Sequence, residues 1–567
     1  MYLQRLGRII ILKVQQKCYF SEVELMRHIF LISSLLLIGC NKTDIPFADN
    51  ADQRLRNWIE TISSDEFEGR EPGTLGAQLA KNYIAQQLSQ LGLDPVSGNS
   101  FFLNVPASKI TLKDQSYATI TFRDQDRKLE TGKEVVFWTK HATEYKKLRD
   151  SEIVFVGYGI VAPEYDWNDY EGIDVRGKTV VMLINDPGFE TGNLRLFNGR
   201  SMTYYGRWTY KFEEAARQGA AAAIILHEEA PAAYPWNVVE NSWQGPQLDL
   251  LREDMGASRA TLEGWIPHDV FNEIIQFTGF NYSALKEIAL SDTFQPFTMR
   301  GLVFSTEIYN EVEYISSHNL AALQRGTKYP DEYILFTAHW DHLGTLEGNP
   351  GDDLIMNGAV DNATGVSSLL EFGYRFLKEP PERSVIYLFV TLEESGLLGS
   401  EYFAEYPPIP LKNIVAGFNF DGIQPTGKTN DMVVIGYGAS ELEDLLELEL
   451  TKQGRYINPD PNPEKGYFYR SDHISFAKRG VPMLYADGGS DLVNGGRLGG
   501  LQMEEEYRLN RYHAVGDEYD PAWNLEGLDQ SIETIFSISS SLANSQTWPN
   551  WYEGNEFKGI RDASRAQ

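Results

Sequence analysis

Val385-Ile386-Tyr387-Leu388-Phe389-Val390 is a run of six apolar residues, five of them β-branched or aromatic, followed directly by Thr391-Leu392-Glu393-Glu394-Ser395-Gly396. A short unbroken apolar run closed by a turn reads as a strand buried on both faces, which is the habit of parallel sheets covered by helices. Two adjacent glutamates beside such a strand repel each other unless a cation or a shared proton compensates. Outward from this segment the pattern repeats. Strands are expected near Tyr333 to Ala338, Ile414 to Phe420, Met432 to Ile435 and Pro482 to Tyr485, with helices at Thr364 to Leu377 and Glu441 to Lys452. Strands alternating with helices predict an α/β fold with a mixed, mostly parallel central sheet flanked by helices.

The strand ends carry the chemistry. His339 closes one predicted strand in Ala338-His339-Trp340-Asp341-His342, where the Asp341 carboxylate is placed to hold the second ring nitrogen and fix the tautomer. His342 reads as a hydrogen-bonded structural residue. Asp361 opens a helix in Val360-Asp361-Asn362-Ala363-Thr364-Gly365; an aspartate there is ordinarily a cap, but its two oxygens could also bridge two cations. Asp421 follows Asn419-Phe420, and His513 stands in Arg511-Tyr512-His513-Ala514. Singly each is weak. Together, at the carboxyl ends where open α/β sheets gather their ligands, His339, Asp361, Glu394, Asp421 and His513 read as a two-metal hydrolytic centre.

These segments resemble peptidase family M28, the zinc aminopeptidases, over most of the chain. The resemblance implies that Asp361 bridges two zinc ions, with His339 and Asp421 completing one and Glu394 and His513 the other. It implies Glu393 as the general base acting on a metal-bridging hydroxide, Asp341 as the partner of the first histidine, and Tyr512 as a stabiliser of the oxyanion. Arg470-Ser471-Asp472-His473 fits the pattern around the substrate pocket. The expected function is zinc-dependent exopeptidase action on peptides, foremost as an aminopeptidase. A carboxypeptidase of the same fold, a glutaminyl cyclase-like transferase and a non-catalytic receptor-like protein are the alternatives.

The chain has 567 residues, long enough for more than one core. Residues 41–132 and 303–545 are read as the catalytic domain, 133–302 as an insertion resembling a β-rich protease-associated domain (Phe155 to Ile160, Gly177 to Val181), and 546–567 as a tail on the surface or partly disordered. Gly488 to Gly500 could border the pocket; it lacks both the Gly-Lys-Ser/Thr ending of a phosphate loop and a following helix pattern. A net charge of −30 spread along the chain argues against nucleic acid as a partner. Cys18 and Cys40 are the only cysteines, too few for a disulfide framework or a thiolate metal site. Residues 1–40 read as a leader, with a signal starting at Met26 and an apolar run from Ile29 to Ile38 too short to span a bilayer as a helix. Leu37-Ile38-Gly39-Cys40 resembles a bacterial lipobox, which implies a lipid on Cys40 and a cell-envelope location. Asn41 favours the outer membrane, and the oligomeric state is open.

Overall fold

A computed structural model describes residues 47–566 apart from Asp292 and Pro350, so the leader and Cys40 lie outside the described residues. Two compact units divide the chain, Met1–Asp49 and Asn50–Gln567, and everything below concerns the second.

Its centre is a mixed sheet. From one edge the strands run Pro246–Leu250, Phe102–Leu112, the second half of Phe297–Gln324, Arg383–Val390, Tyr329–His339, Ile414–Asn419, Met483–Asp487, Asp431–Ile435 and Tyr456–Pro459. The four from Arg383–Val390 to Met483–Asp487 are parallel, and the flanking pairs with Phe297–Gln324 and Asp431–Ile435 are antiparallel. Every residue of Arg383–Val390 is buried, as its unbroken apolar character requires. Successive side chains of a strand face opposite layers. Phe336 meets Phe372 of helix Gly365–Lys378 on one face, ring centroids 4.4 Å apart, while Leu335 belongs to the cluster of Phe403 and Phe476 from helices Leu398–Glu405 and His473–Ala477.

A second sheet is built on the first half of the same long strand. Its order is Gln125–Lys128, Tyr117–Phe122, Phe297–Gln324, Tyr145–Phe155, Thr179–Leu183, Ala222–His227, Leu262–Pro267 and Val136–Trp138. This sheet draws in residues upstream of 133 and downstream of 302, and Pro246–Leu250 leaves it to pair with Phe102–Leu112. The 28-residue strand Phe297–Gln324 therefore carries both layers, which is why apolar patterning around Val303 marks no clean edge.

Residues 51–90 form the helices Ala51–Ile62 and Leu75–Gln90 around a kinked turn. Arg70 in that turn is fully buried, and its guanidinium donates to the carbonyls of Trp340, Ile62, Asn357 and Gly358. It thereby ties the loop after His339 to the loop before Asp361. Arg70→Met leaves four buried carbonyls without that donor and is expected to cost at least about 3 kcal/mol in urea unfolding; a midpoint unchanged from the parent would remove Arg70 from this role.

The tail is not a surface appendage. Trp551 is 1% exposed with its indole N–H on Gly480 O at 3.0 Å, and Arg561, in helix Lys558–Arg565, donates to Ile414 O and Val415 O. Its aromatic and basic residues read as solvated only because their partners lie far back in sequence.

Candidate metal centre

The three parallel strands that carry the site end level with one another. His339 is in register with Val390 and Thr337 with Asn419, so His339, the Glu393-Glu394 turn and Asp421 emerge at one edge. Asp361 reaches the same place from the turn Ala359–Thr364, and His513 from the segment after helix Gly496–Asn510. That helix begins inside the glycine-rich stretch Gly488 to Gly500, where the sequence offered no helical pattern.

Local chemistry frees Asp361 from capping. Asn362 does that work: its carboxamide oxygen accepts from Gly365 N at 2.9 Å at the helix start, and its nitrogen donates to Phe420 O at 2.9 Å. Asp517 grips the turn from outside, accepting from Val360 N at 2.9 Å and Asp361 N at 3.0 Å. Gly358, at φ 53°, leaves no room for a Cβ, which would lie 2.1 Å from Asp361 O and 2.6 Å from the His342 ring.

The Asp361 carboxylate is then shared between two groups. Its Oδ1 is 3.1 Å from His339 Nε2, which also lies 3.2 Å from Asp421 Oδ1. Its Oδ2 is 3.2 Å from His513 Nε2, itself 3.2 Å from Glu394 Oε2. Ser471 Oγ donates to the other Asp421 oxygen at 2.6 Å and accepts from Asn419 Nδ2 at 2.7 Å. His342 Nδ1 lies 2.6 Å from Glu394 Oε1, so this histidine holds a member of the cluster. The expected contact of Asp341 is made differently: His339 Nδ1 meets the Asp341 backbone carbonyl at 3.1 Å, while the Asp341 carboxylate accepts from Glu393 N at 3.3 Å. A carboxylate two residues beyond a strand end points past the ring, and the main chain is nearer. Tyr512 is half exposed and stacks on His513, centroids 3.9 Å apart.

Burial governs the electrostatics. It pushes the Glu393 carboxyl well above the usual range, and Glu394 and Asp421 add to this against the opposing pull of His339. Burial likewise raises Asp341 and Asp472 to about 7. It works in the same direction on Asp361, yet contacts with His339 and His513 hold that carboxyl well below its ordinary value. Both imidazoles are raised by their carboxylates, His513 to about 10, although burial opposes it. So many buried carboxylates around two ring nitrogens need positive charge between them. His339 with Asp361 and Asp421 places one ligand atom from each residue within 4.8 Å of the others, and the mixed nitrogen and oxygen donors suit zinc.

Residues 319–538 match the model of peptidase family M28. The similarity to peptidase family M28 is thus carried by this part of the chain. A probable leucine aminopeptidase 2 of Aspergillus oryzae is 26% identical over 235 residues, 40% of this chain and 45% of that protein. A vacuolar membrane protease of Schizosaccharomyces japonicus is 29% identical over 150 residues, 25% of this chain and 16% of the relative. A probable zinc metalloprotease of Pyrenophora tritici-repentis is 32% identical over 106 residues, 18% and 23%. The chain spans less than half the length of these curated relatives. Among solved structures, an aminopeptidase from Aneurinibacillus sp. strain AM-1 superposes over 88% of this chain and 95% of its own, at 18% identity and a TM-score of 0.46. The M28 match covers all five candidate ligands and stops short of the second sheet's strands upstream of 297.

Proposed function

We propose that the chain is a dinuclear zinc exopeptidase that removes residues from the amino terminus of peptides. The observation that carries this reading is the Asp361 carboxylate, one oxygen turned to His339 and Asp421 and the other to His513 and Glu394. His339, Asp361 and Asp421 would hold one ion and His513, Asp361 and Glu394 the other. Bound there, zinc supplies Lewis acidity and lowers the pKa of water.

The protein's own groups do the rest. Glu393 has no ion-pair partner among the described residues, and burial raises its carboxyl, which suits a group that takes a proton from the attacking water and returns it to the leaving amine. Its backbone N–H on the Asp341 carboxylate fixes the turn that aims it. Tyr512, which lines one cavity with Glu393 and Glu394, offers a phenol to the carbonyl oxygen as negative charge grows there. The second sheet, read as a protease-associated module, contributes Trp138, Arg207 and Trp243 to the lining of that cavity. Export and a lipid on Cys40 are part of this proposal and rest on the sequence from Met26 to Lys42; no helix among the described residues is long and apolar enough to cross a membrane.

A panel of short peptides with free or blocked ends, with and without chelator and added zinc, tests the reading. Chelator-sensitive cleavage that requires a free amino terminus supports it. Cleavage that instead requires a free carboxyl terminus replaces it with the carboxypeptidase alternative.

A further inference from the structure

The cavity beside the metal centre has a volume of about 340 Å³ and is lined by Glu393, Glu394, Tyr512 and His513. The same cavity is lined by Arg207, at the start of helix Trp208–Arg217 on the second sheet's module, and by Arg470, which immediately precedes the Ser471 that holds Asp421. Most charged groups lining this cavity are internally paired. Glu213 meets Lys478 at 2.6 Å, Arg259 meets Glu401 at 3.2 Å, and Lys140 lies 3.9 Å from Glu263.

The two arginines differ. Among the described residues neither has a carboxylate within ion-pair distance, and each has a buried Nε with no hydrogen-bond partner. Arg470 spends one nitrogen on Lys465 O at 2.9 Å and stacks over Tyr467; Arg207 lies over Trp208, centroid distance 5.3 Å, and its side chain makes no hydrogen bond among the described residues. Burial and the charge of Arg470 lower Arg207 to about 9, so the two guanidiniums act on each other as like charges. In a chain with 80 acidic and 50 basic residues, two half-buried guanidiniums, each with a buried Nε left without a partner, are not short of candidate anions within the protein.

We infer that Arg207 and Arg470 form a carboxylate-binding subsite facing the metal centre, which makes short peptides bearing a carboxylate the preferred substrates. The guanidinium forks match a carboxylate in a two-point contact. The aromatic faces of Trp138, Trp208, Trp243 and Tyr469 give the apolar remainder of a peptide its surroundings. The volume is near the lower end of ordinary ligand pockets, roughly 300–1,000 Å³, which suits a few residues rather than a long chain. The carboxylate is either the carboxyl terminus of a short peptide or an acidic side chain. This inference deepens the peptidase reading and rests on it for the identity of the substrate.

The test compares Leu-Ala-Ala, its carboxyl amide and Leu-Asp-Ala amide as substrates of the zinc-loaded full chain. The same peptides are titrated calorimetrically into its Glu393→Gln variant. The free acid is expected to exceed the amide by roughly 10- to 100-fold in kcat/KM, carried by KM rather than kcat. Arg207→Gln and Arg470→Gln should collapse that ratio, and Arg207→Lys should restore part of it. A preference regained by Leu-Asp-Ala amide assigns the carboxylate to a side chain; its absence assigns it to the terminus. Equal turnover and equal binding of acid and amide by the parent enzyme overturn the subsite and leave the peptidase reading standing. Tighter binding of the acid without cleavage of any peptide keeps the subsite and removes the peptidase reading. Should an arginine variant fail to fold, the acid-to-amide comparison in the parent still decides.

Discussion

Glu393→Gln is expected to retain the fold and the zinc content of the parent while kcat falls by about 10²- to 10⁴-fold, the usual contribution of a positioned proton acceptor. Glutamine fills the same volume and preserves the turn, because the Glu393 contact with Asp341 is made by its backbone N–H. What it removes is the ability to take up and return a proton. Metal analysis decides how the loss is read. His339, Glu393 and Glu394 also bring ligand atoms within 4.8 Å of one another, so a variant that loses zinc along with activity would make Glu393 a ligand instead. Turnover equal to the parent would end its assignment as the base.

Chelation is expected to abolish hydrolysis and to lower the melting temperature, both restored by zinc and neither by magnesium, which prefers an all-oxygen octahedral site. Asp341, Asp361 and Asp472 are each at most 5% exposed, and Glu394 at 7% lies close by. A bound cation offsets their repulsion only in the folded state, so each site held at a hundred times its dissociation constant adds about 2.7 kcal/mol to stability. A melting curve indifferent to both chelator and zinc would favour the receptor-like alternative, in which the cluster binds no ion.

The fold and the five ligand candidates were legible because they depend on short-range pattern. An apolar run such as Val385 to Val390 declares its burial, and His339, Glu394 and Asp421 stand at predictable places beyond three such runs. What places them was not legible. Arg70 bonds to carbonyls some 270 residues away, Asp517 to amides 156 and 157 residues away, and Ser471 to an aspartate 50 residues away. No periodicity encodes such pairs; a buried arginine in a Gly-Arg-Glu-Pro-Gly turn looks like any solvated one. The Asp341 side chain was misread for a related reason, since spacing gives proximity to His339 but not which of its oxygens arrives. Helix Gly496–Asn510 was hidden by four glycines in its first half and vicinity, where tertiary context overrides poor propensity.

The strand Phe297–Gln324, at about 3.3 Å per residue, could extend up to about 90 Å and is hydrogen-bonded to partners in both layers. Swinging the wall that holds Arg207 away from Glu393 would mean tearing ladder bonds rather than turning a loop. The gap between them is thus gauged when the chain folds, before any peptide arrives. Such a protein sorts its substrates as a calliper does, by what fits a preset opening, and not as a jaw that closes on whatever has been caught.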